Sequence, residues 1–219
     1  MEDIAWKDVF ELRAQLYAFL GNSLLAPMRE DMRAGLDQSF WEQFPLEPAN
    51  EHMDNALEAL AACCGRLADC SEGERVRSAN VEYTRLFMGP GAPPAPPWES
   101  LYREGGKFLF GQPTFDMRAV LREHGLALKE DAHQLEDHIG AELLFLAAMS
   151  ERFVGKAPSA DEVTDQVAFI DGHPLWWIGK LHAKAVAAAD LGYYPALIEL
   201  VWGVLEWDKE LLSEYLAQG

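Results

Sequence analysis

A chain of 219 residues and 24.5 kDa allows one large domain or two coupled lobes, and its 49% hydrophobic content supports a core without disulfide or metal staples. Its 36 acidic residues outnumber 18 basic ones, for a formal net charge of −18, which disfavours a general nucleic-acid binder because neutralising phosphates needs a basic stripe. The acid is spread evenly, 18 residues in 1–110 and 18 in 111–219, so it is no tail; it serves solubility or favours basic partners over anionic membranes.

The first residues, Met1, Glu2, Asp3, Ile4, Ala5 and Trp6, show no basic region followed by an apolar stretch, so no signal peptide is expected. With no apolar run near 18 residues, no membrane span is expected either, and the cytoplasm is the expected compartment. Helical periodicity begins with Phe10, Leu12, Leu16, Phe19 and Leu20, and Gly21-Asn22 and Pro27 are expected to stop that first helix. Ala49, Met53, Ala56, Leu57, Leu60, Cys64 and Leu67 trace one apolar stripe on a second. Cys63, Cys64 and Cys70 fall on this helical segment; an odd count with an adjacent pair and no ligand spacing reads as reduced core residues.

Val81, Tyr83, Leu86 and Phe87 close another helix before the run Gly89-Pro90-Gly91-Ala92-Pro93-Pro94-Ala95-Pro96-Pro97. Missing N–H donors and fixed φ angles make this run an extended connector, pinned at Trp98 or simply a rigid loop. After Gly105-Gly106, Thr114 is the expected N-cap of a helix ending at His124-Gly125. Asp131 is expected to open a long helix reaching Phe153, with Leu135, Ile139, Leu143 and Leu146 on one side and His138 and Glu142 within the same sector. His124 and His133 are expected at the surface. A short linker over 155–160, a helix from Ala160 to Ile170, one from His173-Pro174 to about Asp190 and one from Tyr194 to Leu216 complete the chain, with Trp176, Trp177, Trp202 and Trp207 expected in the core. No alternating Val/Ile/Thr-rich segment competes, so the fold class is all-α: a single helical bundle domain, 1–219, of nine to eleven helices, with 1–128 and 129–219 as two candidate sub-bundles.

Signatures of common hydrolases, nucleotide binders and zinc proteases are absent, and no catalytic residue is assigned. The dense polar constellation is Glu136-Asp137-His138, with Glu142 one turn beyond His138. At i, i+4 the last two would face one metal, form a buried pair, or mark the mouth of a recognition groove. Two donors under-ligand a metal, so none is assigned, and a metal-dependent helical enzyme built on His138 and Glu142 stands as the alternative reading.

Four blocks taken together resemble one family: Tyr83-Thr84-Arg85-Leu86-Phe87-Met88-Gly89-Pro90-Gly91, Pro96-Pro97-Trp98-Glu99-Ser100-Leu101-Tyr102, Leu109-Phe110-Gly111 and Glu136-Asp137-His138-Ile139-Gly140. In order and spacing they are similar to the TorD/DmsD family of cytoplasmic redox-enzyme maturation chaperones, leaning to the dimethyl sulfoxide reductase branch. The resemblance implies an all-helical, non-catalytic, cofactor-free chaperone. It would bind the twin-arginine leader and the apo form of a molybdopterin oxidoreductase catalytic subunit and delay export until cofactor is inserted. It carries leader recognition onto Tyr83, Leu86, Phe87, Trp98, Glu136, Asp137 and His138, where Leu86, Phe87 and Trp98 would supply an apolar groove and the two carboxylates its acidic end. It further implies a monomer or a domain-swapped homodimer; an adaptor binding only the mature client is a second alternative. The family often carries a proline just before the Asp-His pair; here Leu135 stands there, which lets the helix start earlier.

Overall fold

The computed structural model describes residues 6–89, 91–103, 108–128 and 133–218. Residues 1–5, Pro90, Gly105-Gly106 and Asp131, on which sequence expectations fell, lie outside these. Among the described residues the chain forms nine α-helices and no strand, as an all-α reading expects: α1 (Trp6–Leu25), α2 (Gln38–Glu42), α3 (Glu51–Arg66), α4 (Glu72–Tyr83), α5 (Gln112–Glu123), α6 (Ile139–Gly155), α7 (Ala160–Gly172), α8 (Pro174–Ala188) and α9 (Tyr193–Gln218). No described helix is long and apolar enough to cross a membrane. The helices fall into two compact units interleaved in sequence rather than divided at residue 128: one of Met1–Ala26, Trp98–Pro174 and Leu211–Gly219, the other of Pro27–Pro97 and Leu175–Glu210.

In the first unit, α1 buries Phe10, Leu16, Tyr17, Leu20 and Leu24. It runs through Gly21-Asn22, where local signals predict a stop. The cause is a close crossing with α6. A Cβ on Gly140 would lie 2.8 Å from the Gly21 carbonyl oxygen and 3.0 Å from Leu25 Cα, so the helices meet through two glycines. Arg13 is buried on the same helix, donating to Gln166 Oε1 on α7 at 2.9 Å, with its guanidinium 5.6 Å from the centre of the Phe10 ring. Ser159 and Glu162 form a reciprocal cap that starts α7. The last turns of α9 bring Tyr215 edge-on to Trp6 at 4.9 Å, and its hydroxyl donates to the Pro158 carbonyl at 2.9 Å.

In the second unit, Asn50 caps α3 by accepting from the Met53 N–H, and Ser71 with Glu74 caps α4. α4 continues into a π-helical turn, Thr84–Met88. Buried Glu82 accepts from the N–H groups of Leu191, Gly192 and Tyr194 at 2.8, 2.6 and 3.0 Å, which fixes where α9 begins. Cys63 and Cys64 are buried in α3, whereas Cys70 is half-buried beyond that helix's end rather than on it. Of the four tryptophans expected in the core only Trp177 is fully buried. Trp202 and Trp207 are half-buried, and Trp176 is exposed, its ring covered by the Lys180 ammonium at 3.5 Å.

Candidate functional site

The proline-rich connector ends where Trp98 forms an isolated antiparallel bridge with His138. Pro96 and Pro97 cannot donate, so pairing starts one residue later: the Glu99 N–H donates to the Asp137 carbonyl oxygen at 2.9 Å. The Asp137 carboxylate is fully buried and both its oxygens are used. Oδ2 accepts from the Ser100 N–H and Oδ1 from the Thr114 hydroxyl, each at 2.9 Å. Thr114 therefore does not cap α5; Gly111 holds the cap position and Pro113 the first turn.

These partners displace the start of the long helix. The sequence expects it near 131, a start that the want of a proline at 135 allows, yet α6 begins only at Ile139. His138 is its N-cap, with Nδ1 accepting from the Gly140 N–H at 3.0 Å. His133 has φ 49°, outside helical conformation. A helix through Leu135–His138 would carry the Asp137 carboxylate away from Ser100 and Thr114 and leave two buried donors unpaired, so tertiary hydrogen bonding overrides the apolar periodicity.

His138 is fully buried, and burial pushes its pKa from 6.5 down to about 3. It is neutral, and since Nδ1 accepts, the proton sits on Nε2, which has no partner among the described residues. The Trp98 ring stands edge-on to it, 5.8 Å between centres. Trp98 is half-buried, and its indole N–H and the Ser100 hydroxyl also lack a partner among the described residues. Glu136 reaches the surface, held by Arg118 of α5 at 2.7 and 3.1 Å. That hydrogen bond holds the Glu136 carboxyl below the usual carboxylate range.

A second buried cluster adjoins this knot. Glu99, fully buried, accepts from Arg103 one turn on and from His173 Nδ1 at 2.9 Å. Donor atoms of Glu99, Glu142 and His173 lie within 4.8 Å of one another, the one set among the described residues with the composition to hold a metal. His138 is not in it: Glu142 faces Glu99 and His173, and Arg103 already supplies a cation to Glu99. The pairing of His138 with Glu142, one of the arrangements their spacing allows, is thus replaced by contacts from distant segments. The i, i+4 spacing of Glu99 and Arg103 was the one sequence signal for this cluster.

Four of the seven residues singled out by sequence, Trp98, Glu136, Asp137 and His138, lie together in the first unit. Tyr83, Leu86 and Phe87 belong to the second, where all three are buried. There Tyr83, Phe87 and Tyr194 pack edge to face, with ring centres 5.0, 5.2 and 5.6 Å apart.

Residues 47–183 match a family model described as nitrate reductase delta subunit. The chain is 33% identical over 182 residues to a Tat proofreading chaperone DmsD from Salmonella typhi, covering 83% of this chain and 79% of that one. It is 24% identical over 212 residues to a chaperone protein TorD from Vibrio cholerae, 95% of each chain, and 26% identical over 214 residues to one from Aliivibrio fischeri, covering 93% and 95%.

Proposed function

Since this chain belongs to the nitrate reductase delta subunit family and aligns with redox-enzyme maturation chaperones over most of its length, we propose that it binds the twin-arginine leader of a molybdopterin oxidoreductase catalytic subunit in the cytoplasm. It engages the apo subunit through that leader and delays export until cofactor is inserted. The observation that supports this most is the make-up of the Trp98–His138 knot. Its two members that reach the surface are an indole and a carboxylate, the pair of groups that suits a peptide carrying guanidiniums next to an apolar stretch. Within the knot, the buried indole N–H of Trp98, the Ser100 hydroxyl and His138 Nε2 have no partner among the described residues.

The seven residues divide by exposure. Trp98 and Glu136 contact the leader, the second by exchanging Arg118 for a leader arginine. Asp137 and His138 are positioning residues that fix the Trp98–Ser100 turn, and Tyr83, Leu86 and Phe87 hold the π-helical turn of the second unit in place. No covalent chemistry is required of any of them.

Calorimetric titration with a synthetic twin-arginine leader, and with the same peptide carrying glutamine for both arginines, tests this. The native leader binds and the substituted one binds at least about tenfold more weakly. Trp98→Ala and Glu136→Gln weaken the native leader with helicity unchanged. Equal affinity for the two peptides would overturn the reading.

A further inference from the structure

A groove of about 630 Å³ opens in the first unit between α5, α6 and α7, within the size range of ligand sites. Phe145, Met149 and Phe153 from α6 and Phe169 from α7 line it with apolar and aromatic surface. Its rim is mostly acidic. Glu123 stands on α5 and Glu162 and Asp165 on α7, all three exposed. α7 also exposes Asp161 and Asp171 and carries no lysine or arginine. Two cations border the groove, Arg152, whose guanidinium is tied to the His124 carbonyl, and Lys156. His173 lines the groove and bonds buried Glu99, the residue next to Trp98, so one hydrogen bond links the groove wall to the knot.

We propose that this groove receives the apolar stretch of the leader, with leader cations lying along the acidic face of α7. The proposal rests on the leader-binding reading and gives it a second, larger contact. An amphipathic segment inserts apolar side chains among the phenylalanines while its positive end meets Asp165, Glu162 and Glu123. Charge selects this occupant. A second copy of a chain with net charge −18 would set like charges against the rim, and an anionic amphiphile such as a fatty acid would be repelled by the same carboxylates.

The test is calorimetric titration of the full chain and two groove variants with the synthetic twin-arginine leader. Ala168→Trp fills the groove from an exposed position on α7. The double variant Glu123→Lys with Asp165→Lys reverses charge at two exposed positions without touching the core. Each weakens binding about tenfold or more, and the charge reversal has a smaller effect on the leader whose arginines are glutamines. Parent-like affinity in both variants would overturn the groove while leaving leader binding at the knot intact. Failure of the parent chain to bind any twin-arginine leader would overturn both. Should Ala168→Trp fail to fold, the charge reversal alone decides.

Discussion

Replacing His138 by asparagine isolates the acid sensitivity that a fully buried imidazole imposes. In the folded chain burial holds the ring neutral down to about pH 3, against an ordinary value of 6.5. Between those two values the unfolded chain takes up a proton that the folded chain refuses. The stability associated with the neutral ring is therefore complete above pH 6.5 and is lost as the pH falls toward 3. At about 1.36 kcal/mol per pH unit, lowering the pH from about 7 to about 5 removes about 2 kcal/mol through this one group. The side chain introduced by His138→Asn would keep an oxygen acceptor for the Gly140 N–H, as the N-cap requires, and would not titrate. Urea denaturation followed by circular dichroism at both pH values gives the comparison, because every other titrating group is common to the two proteins. Native protein is expected to lose about 2 kcal/mol more than the variant. Equal losses, or an NMR titration placing His138 near its ordinary value, would refute the burial argument.

Gly140→Ala is expected to cost about 1–3 kcal/mol, because the added methyl meets backbone of α1 on one side and cannot be accommodated by a rotamer change. Gly73→Ala in the first turn of α4, where nothing lies within 4 Å of the new Cβ, is expected to raise stability by about 0.5 kcal/mol. Thermal unfolding of the two variants should move in opposite directions, and a Gly140→Ala variant no less stable than the parent would mean that α1 and α6 do not cross at these glycines. Burial pushes the Cys63 and Cys64 thiols up to about 11 and about 12, so a thiol reagent near neutral pH is expected to modify half-buried Cys70 first and the other two only on unfolding. Rapid native modification of all three would contradict that placement of α3.

Much of the fold follows from short-range rules that need no partner. The apolar stripe through Met53, Ala56, Leu60 and Cys64 forms α3 with these four buried, and Pro174 opens α8. The four motif blocks were likewise readable as residues in order, and their family assignment needs no coordinates. Their roles do need them. Asp137 and Glu142 are both carboxylates on one expected helix, yet one is held by Ser100 and Thr114, 37 and 23 positions away, and the other faces Glu99 and His173. The same distant bonds move the start of α6 to Ile139, and a glycine-to-glycine crossing carries α1 through Gly21-Asn22 to Leu25, where it ends ahead of Pro27 as expected. Trp176 sits at the surface because the face it occupies on α8 is decided by what that helix packs against. Periodicity and capping are written within a few residues of each other, so the sequence alone determines which segments become helices. Pairing a buried charge depends on which remote donor arrives beside it, and only the tertiary structure decides that.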